Sequence, residues 1–247
     1  MEVHVLDDKQ AMGMAAARAA AEGLNRAFTR SGKATLILAT GASQFEMLDA
    51  LVSQKVDWSK VTLFHLDEYV GLPATHPASF RGYLQQRFVE RVPRLGAFHP
   101  VQADEGDPQA ECHRVGALIR GLRVDVACVG IGENGHLAFN DPPADFETLD
   151  PYLVVELDEA CRRQQVGEGW FGALAEVPRS AISMSIRQIL KSATIVCTVP
   201  DARKAVALKQ SLKGPVTPDV PASILQMHPD CHIFTDTAGG ALLEEGK

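Results

Sequence analysis

A chain of 247 residues with 46% hydrophobic and 22% charged content has the balance of a soluble globular protein, and its length suffices for one large α/β domain. A formal net charge of −7 argues against a nucleic-acid partner, which would require a basic patch to displace counterions from phosphates. No run of about 18 apolar residues offers a membrane span, the opening MEVHVLDDKQ lacks a signal-peptide core, and the five cysteines, odd in number and without a C-x-x-C pair, read as buried thiols in a reducing cytoplasm.

Residues 2–6 read as a short strand, and Asp7 or Asp8 as the cap of a helix running to about Ser31, where Gly32 stops it. ATLILA, residues 34–39, is a buried strand, and Thr40, Gly41, Ala42 and Ser43 form a small-residue loop into the periodic helix QFEMLDALVSQ. Such a junction is a natural phosphate site, because free N–H groups and the partial positive charge of the helix start face outward. Ser43 could equally be no more than the helix cap. Residues 61–66 form the third strand, and Asp67, Glu68 and Tyr69 stand at its end, before the turn signals Gly71, Pro73 and Pro77. Two acids there serve either chemistry or a solvated loop. ASFRGYLQQRFVERV and ECHRVGALIRGL are amphipathic helices.

The second of these leads into residues 124–143, VDVACVGIGENGHLAFNDPP. The first half is a continuous apolar run, as in a parallel strand buried on both faces. Its glycines then turn the chain and deliver His136, Asn140 and Asp141 just past the strand. Gly130, Gly132 and Gly135 spell G-x-G-x-x-G, but a dinucleotide site needs a helix to open there, and Pro142 and Pro143 forbid a long one.

YLVVEL is the next strand, and DEACRRQQVGEGWF begins helical. SAISMS and TIVCTV are strands separated by a helical IRQILK, ARKAVALKQSL is a helix with Lys204 in its first turn, PASILQMH a short helix, CHIFTD a last strand and GALLEE a fraying end. The mostly alternating order predicts a single-domain (1–247), doubly wound, largely parallel sheet of six to eight strands with helices on both faces, a modified Rossmann-like α/β fold. Thr40, Asp67, His136 and Lys204 each follow a different predicted strand, so one sheet edge could gather a hydroxyl, a carboxylate, an imidazole and a cation. Each also has a plainer role open to it, Lys204 on a solvated helix face and His136 as a hydrogen-bonded loop residue.

At these residues the sequence resembles the glucosamine-6-phosphate deaminase family, which shares its fold with 6-phosphogluconolactonases. The blocks LATGAS, FHLDEYVGLP with HPASFRGYL, GIGENGHLAFNDPP, VPRSAISMS, RKAVAL and PASILQMHP appear in family order over residues 36–229. The resemblance implies conversion of glucosamine 6-phosphate and water to fructose 6-phosphate and ammonia. It implies Asp67 as general base, His136 as the proton carrier of ring opening and Asp141 as its supporting acid, with Asn134 in the same catalytic block. It also implies Thr40, Gly41, Ala42, Ser43 and Lys204 at the phosphate, with Arg162 or, preferably, Arg163 as the phosphate arginine. Departures are Asp141 in place of the usual glutamate, Gln44 in place of the common phosphate-loop proline, and Asn134 where several members have aspartate. The alternatives are a lactonase, which needs no carboxylate over carbon-2, and a phosphosugar sensor, whose DNA-binding segment and basic surface are missing here. The expected protein is a cytoplasmic enzyme acting on a small phosphosugar, without cofactor or metal and with no nucleic-acid or membrane partner, as a possible homo-oligomer. Hexameric members bind an N-acetylated effector phosphate through basic residues after the catalytic loop. Residues 144–161 carry six acids and no lysine or arginine, which predicts no strong activation of that kind.

Overall fold

The computed structural model describes residues 1–243. In chain order it contains β1 (Glu2–Leu6), α1 (Lys9–Ser31), β2 (Ala34–Leu38), a 3-10 turn (Ala42–Gln44), α2 (Phe45–Leu51), β3 (Val61–His65) and β4 (Asp67–Tyr69). There follow α3 (Phe80–Leu84), continued by a π-helical turn (Gln85–Val89), then β5 (Ala97–His99), α4 (Pro108–Arg120) and β6 (Val126–Val129). After a long loop come β7 (Tyr152–Glu156), α5 (Glu159–Gly167), β8 (Ser180–Met184), α6 (Ile186–Leu190), β9 (Thr194–Thr198), α7 (Ala205–Lys213), a 3-10 segment (Pro221–Met227) and β10 (Cys231–Asp236).

Local chemistry sets these boundaries. Asp8 caps α1, its side chain accepting from the Ala11 N–H at 2.8 Å, and Gly32 ends the helix in the left-handed region at φ 72°. Of the expected carboxyl-terminal fray over 240–245, residues 241–243 form a turn and 244–245 lie outside the described residues.

The main sheet has seven parallel strands in the order β1-β10-β9-β6-β2-β3-β5. Its central strands are buried on both faces: Leu36 and Leu38 pack with Met12, Ala16 and Leu24 of α1, while Ile37, Phe64 and Val129 pack with Val115 and Ile119 of α4. The chain winds outward from the centre in both directions, β2 to β3 to β5 on one side and β6 to β9 to β10 on the other. That reversal opens a crevice beside the carboxyl ends of β2 and β6, where α/β sheets bind ligands.

The expected α/β architecture is present, with two differences in detail. β5 is a half-buried edge strand of three residues, too short to show a period in the sequence. β4, β7 and β8 leave the main sheet and form a three-stranded antiparallel sheet in the order β4-β8-β7. β7 shows the alternating burial of a strand with one wet face, which the apolar run YLVVEL concealed. Among the described residues no helix is long and apolar enough to cross a membrane.

Candidate active site

Four neighbouring strands of the main sheet, β9, β6, β2 and β3, end at one cleft of about 550 Å³. Its wall carries Thr40, Gly41, Ala42 and Ser43 after β2, Asp67 after β3, Gly132 and His136 after β6, and Lys204 after β9. The adjacency that the sequence could only suggest follows from strand order.

The loop after β2 brings a positive-φ glycine, a hydroxyl and an ammonium together. Gly41 adopts φ 90°, a conformation that L side chains rarely take, and starts the 3-10 turn that presents the Ser43 hydroxyl. Tyr83 Oη donates to the Gly41 carbonyl at 3.0 Å, fixing the loop from behind. Lys204 is buried and donates through Nζ to Ser43 Oγ at 2.9 Å. Burial pushes its pKa down, while the Glu168 and Glu133 carboxylates oppose that shift. An ammonium held in a desolvated pocket gains from any anion that joins it.

The loop after β6 holds His136. An added Cβ at Gly132 would stand 2.3 Å from the imidazole, so only glycine lets the backbone pass beneath the ring. No helix opens after the glycines, and the nucleotide-binding pattern therefore lacks its context. His136 Nδ1 lies 3.2 Å from Asp141 Oδ1. Asp141 is in turn held by the Asn134 side-chain amide at 3.1 Å and, through Oδ2, by the Asp158 N–H at 3.1 Å. Burial would raise the Asp141 pKa, but His136 and these two donors together hold it below the ordinary carboxylate value. Asn134 Oδ1 also accepts from the His136 N–H at 3.0 Å. Its side chain thus braces the loop from behind and does not line the cleft.

Asp67 and Glu68 have separate fates. Glu68 is fully buried and accepts from the N–H groups of Tyr69, Phe80 and Arg81 and from Ser79 Oγ, tying β4 to the start of α3. The Asp67 carboxylate takes no hydrogen bond from any described side chain or N–H and faces the cleft. Burial, and then the neighbouring Glu68, push its pKa well above the ordinary carboxylate value. His65, two residues before it, is buried and neutral: desolvation brings its pKa down to about 3, and its Nε2 accepts from the Val101 N–H at 2.8 Å.

The small sheet links the two sides of the cleft. Asp67 pairs in register with Ser183 of β8, and Ser183 Oγ accepts from the Phe139 N–H at 3.0 Å in the His136 loop. Asn140 clamps the same loop, its amide donating to the carbonyls of Leu137 at 2.7 Å and Met184 at 2.9 Å.

The expected arginine is not in the cleft. Arg163 is exposed, its Nε donating to Glu159 at 2.8 Å on the solvent face of α5. Arg162 points to the carbonyls of Leu174 and Val177, at 2.7 and 3.0 Å. The helix turns Gln164, Gln165 and Glu168 to the cleft instead. Helical phase explains this: Cys161, Gln164 and Gln165 are its buried positions, and Arg163 lies opposite. The sequence held one local signal for that phase, Cys161 three and four residues before Gln164 and Gln165 on the same helix face. Glu168 Oε1 accepts from Gln164 Nε2 at 2.8 Å, and its Oε2 from Trp170 Nε1 at 3.1 Å. Lys204 is the only lysine or arginine on the cleft wall among the described residues.

Donor atoms of His136, Asp141 and Cys161 lie within 4.8 Å of one another. In the ion-free protein, burial and the nearby Asp141 and Asp158 carboxylates push the pKa of the Cys161 thiol far up.

Comparison with known proteins matches residues 7–233 to the family model of glucosamine-6-phosphate isomerases/6-phosphogluconolactonase. A glucosamine-6-phosphate deaminase of Lactobacillus delbrueckii subsp. bulgaricus is 38% identical over 213 residues, covering 86% of this chain and 89% of the relative. One from Streptococcus pneumoniae is 36% identical over 215 residues, covering 87% and 89%. Among solved structures, a monomeric glucosamine-6-phosphate deaminase superposes with TM-score 0.88 at 29% identity, over 98% of this chain and all (100%) of the other. A 6-phosphogluconolactonase from Shewanella baltica reaches TM-score 0.77 at 20% identity, over 96% and 97%, and shares the fold. The chain belongs to the glucosamine-6-phosphate isomerase/6-phosphogluconolactonase family.

Proposed function

We propose that the protein is a glucosamine-6-phosphate deaminase, converting glucosamine 6-phosphate and water to fructose 6-phosphate and ammonia. The observation that carries this reading is Asp67: a buried carboxylate without a hydrogen-bond donor, in the same cleft as the Lys204–Ser43 anion cradle and the His136–Asp141 pair.

The substrate phosphate docks on the 40–43 loop and Lys204, which fixes the far end of the sugar. His136, oriented by Asp141, moves the proton between the ring oxygen and carbon-1 hydroxyl as the ring opens. Asp67 takes the proton from carbon-2, giving an enolamine, and returns it to carbon-1, leaving an iminium at carbon-2. Water adds to that iminium and ammonia departs. A carboxylate whose pKa lies above the ordinary range is a stronger base for the first step than a solvated one. The scheme requires no redox cofactor, and with it we propose a single domain over 1–247 that works in the cytoplasm on a small phosphosugar.

A lactonase acting in this cleft would have no use for a carboxylate over carbon-2. The deciding experiment is ammonia release from a panel of 2-amino-2-deoxyhexose 6-phosphates, with fructose 6-phosphate identified as product. Hydrolysis of 6-phosphogluconolactone without ammonia release from any panel member would reverse the assignment.

A further inference from the structure

A second group of ligating side chains lies at the opposite end of the sheet from the cleft. β1 is the sheet's edge strand, and its parallel register with β10 sets Glu2 beside His232, with His4 next along the same face. Glu2 Oε2 stands 3.3 Å from His232 Nδ1 and 3.7 Å from His4 Nε2, and the three donor atoms all lie within 4.8 Å of one another. A tetrahedral ion with ligand distances of about 2.1 Å holds its donors about 3.4 Å apart. Two of the three separations already match that geometry.

The hydrogen bonds around the cluster point the same way. His232 Nε2 lies 2.9 Å from Asp230 Oδ1, and Asp230 Oδ2 accepts from Thr194 Oγ1 at 2.6 Å. A carboxylate can only accept, so Nε2 carries the proton in the neutral ring and Nδ1 presents a lone pair. In that tautomer Nδ1 faces the Glu2 carboxylate at 3.3 Å, so both atoms are turned to one point where a cation can be shared. Carboxylate, imidazole and metal in a row is also the arrangement that orients ligand histidines in metalloproteins. The His4 ring is stacked on Phe234, with centroids 4.7 Å apart, which limits its rotation. Arg26 is the neighbouring cation, but it reaches to Asp230, at 4.0 Å, and to Thr194, at 3.3 Å.

We infer that Glu2, His4 and His232 form a binding site for a divalent transition-metal ion, with Asp230 as the outer carboxylate. Two imidazoles and one carboxylate, without thiolate, select a borderline ion such as Zn²⁺, Ni²⁺ or Cu²⁺ over Mg²⁺ or Ca²⁺. The ion would tie the edge strand β1 to β10. The site lies at the amino ends of these strands, away from the cleft at the carboxyl ends, and is independent of the deaminase reading.

The test is calorimetric titration of the chelator-stripped full chain with Zn²⁺ at pH 8. The expected result is one-to-one binding, lost when His4→Ala and His232→Ala are combined and weakened about 10–100-fold by Asp230→Asn. Circular dichroism confirms that the variants remain folded, and Co²⁺ substitution reads the coordination geometry independently from its visible spectrum. Absence of Zn²⁺ binding in the wild type, or equal binding in the double variant, overturns the assignment.

Discussion

Asp67 and Glu68 are adjacent buried carboxylates in opposite situations: Glu68 accepts four hydrogen bonds, whereas Asp67 accepts none and faces the cleft. Alternation along β4 produces this split, since neighbouring residues of a strand point to opposite faces. Asp67→Asn should therefore lower turnover about 10²–10⁴-fold while the substrate still binds. In heavy water the wild type should place deuterium on carbon-1 of fructose 6-phosphate. Full ammonia release from the variant would remove Asp67 from the mechanism. Glu68→Gln should act mainly on folding, destabilising by about 1–3 kcal/mol in denaturant titrations because a multiply bonded buried acceptor is disrupted.

The raised pKa of Asp67 fixes the sign of two pH effects. As a base Asp67 works ionised, so kcat/KM should rise with pH through a midpoint above the ordinary aspartate value of about 3.9. For stability the sign is reversed. The folded state holds this proton more tightly than the unfolded chain does, so the contribution is present at low pH and is lost as pH rises through the folded-state pKa. At neutral pH the ionised, desolvated carboxylate is a burden, and Asp67→Asn should melt at a higher temperature than wild type while losing activity. A variant less stable than wild type at pH 7 would contradict this.

Asp141 is held low by His136, Asn134 and the Asp158 N–H, so it stays charged and fixes the imidazole. His136→Ala should slow turnover of the cyclic substrate more than that of an open-chain analogue, for which ring opening is bypassed. Asp141→Asn should show the same pattern at up to about 10²-fold. Equal losses on both substrates would assign the pair to a later step.

Glu168 stands on the cleft wall near the anion cradle: an added Cβ on Gly41 would lie 4.0 Å from its Oε2, and it is the carboxylate that most strongly opposes the fall in the Lys204 pKa. A phosphate dianion settling on the loop meets this like charge. Glu168→Gln should lower KM and tighten inhibition by inorganic phosphate, and Lys204→Met should do the reverse. Unchanged phosphate inhibition in Glu168→Gln would show that the carboxylate does not compete for the cradle.

An N-acetylated sugar phosphate should have little effect on the saturation curve. Asp145, Glu147 and Asp150 lie in the segment after the catalytic loop, and the arginines beside it, Arg187 and Arg120, are already engaged by Glu147 at 3.6 Å and Asp150 at 3.2 Å, so a dianion gains little there. Conversion of a sigmoidal curve to a hyperbolic one by N-acetylglucosamine 6-phosphate would refute this.

The order of strands and helices, the short β5 excepted, was legible before any contact between distant segments, because hydrophobic period, caps and glycine stops are local. Thr40, Asp67, His136 and Lys204 were legible as strand-end residues for the same reason. Their meeting in one cleft depended on β9, β6, β2 and β3 being neighbours, which hydrogen bonding between distant segments decides. The second sheet was equally hidden, since whether β4 pairs with β3 or with β8 is a choice among long-range partners. Arg163 shows how a site residue chosen by charge can be wrong by one helical position: a phase difference of about 100° turns it to solvent and Gln164 to the cleft. Absence of a ligand spacing in the sequence likewise excluded only metal sites within one segment. Glu2, His4 and His232 come from opposite ends of the chain, and the parallel register of β1 with β10 alone brings them together.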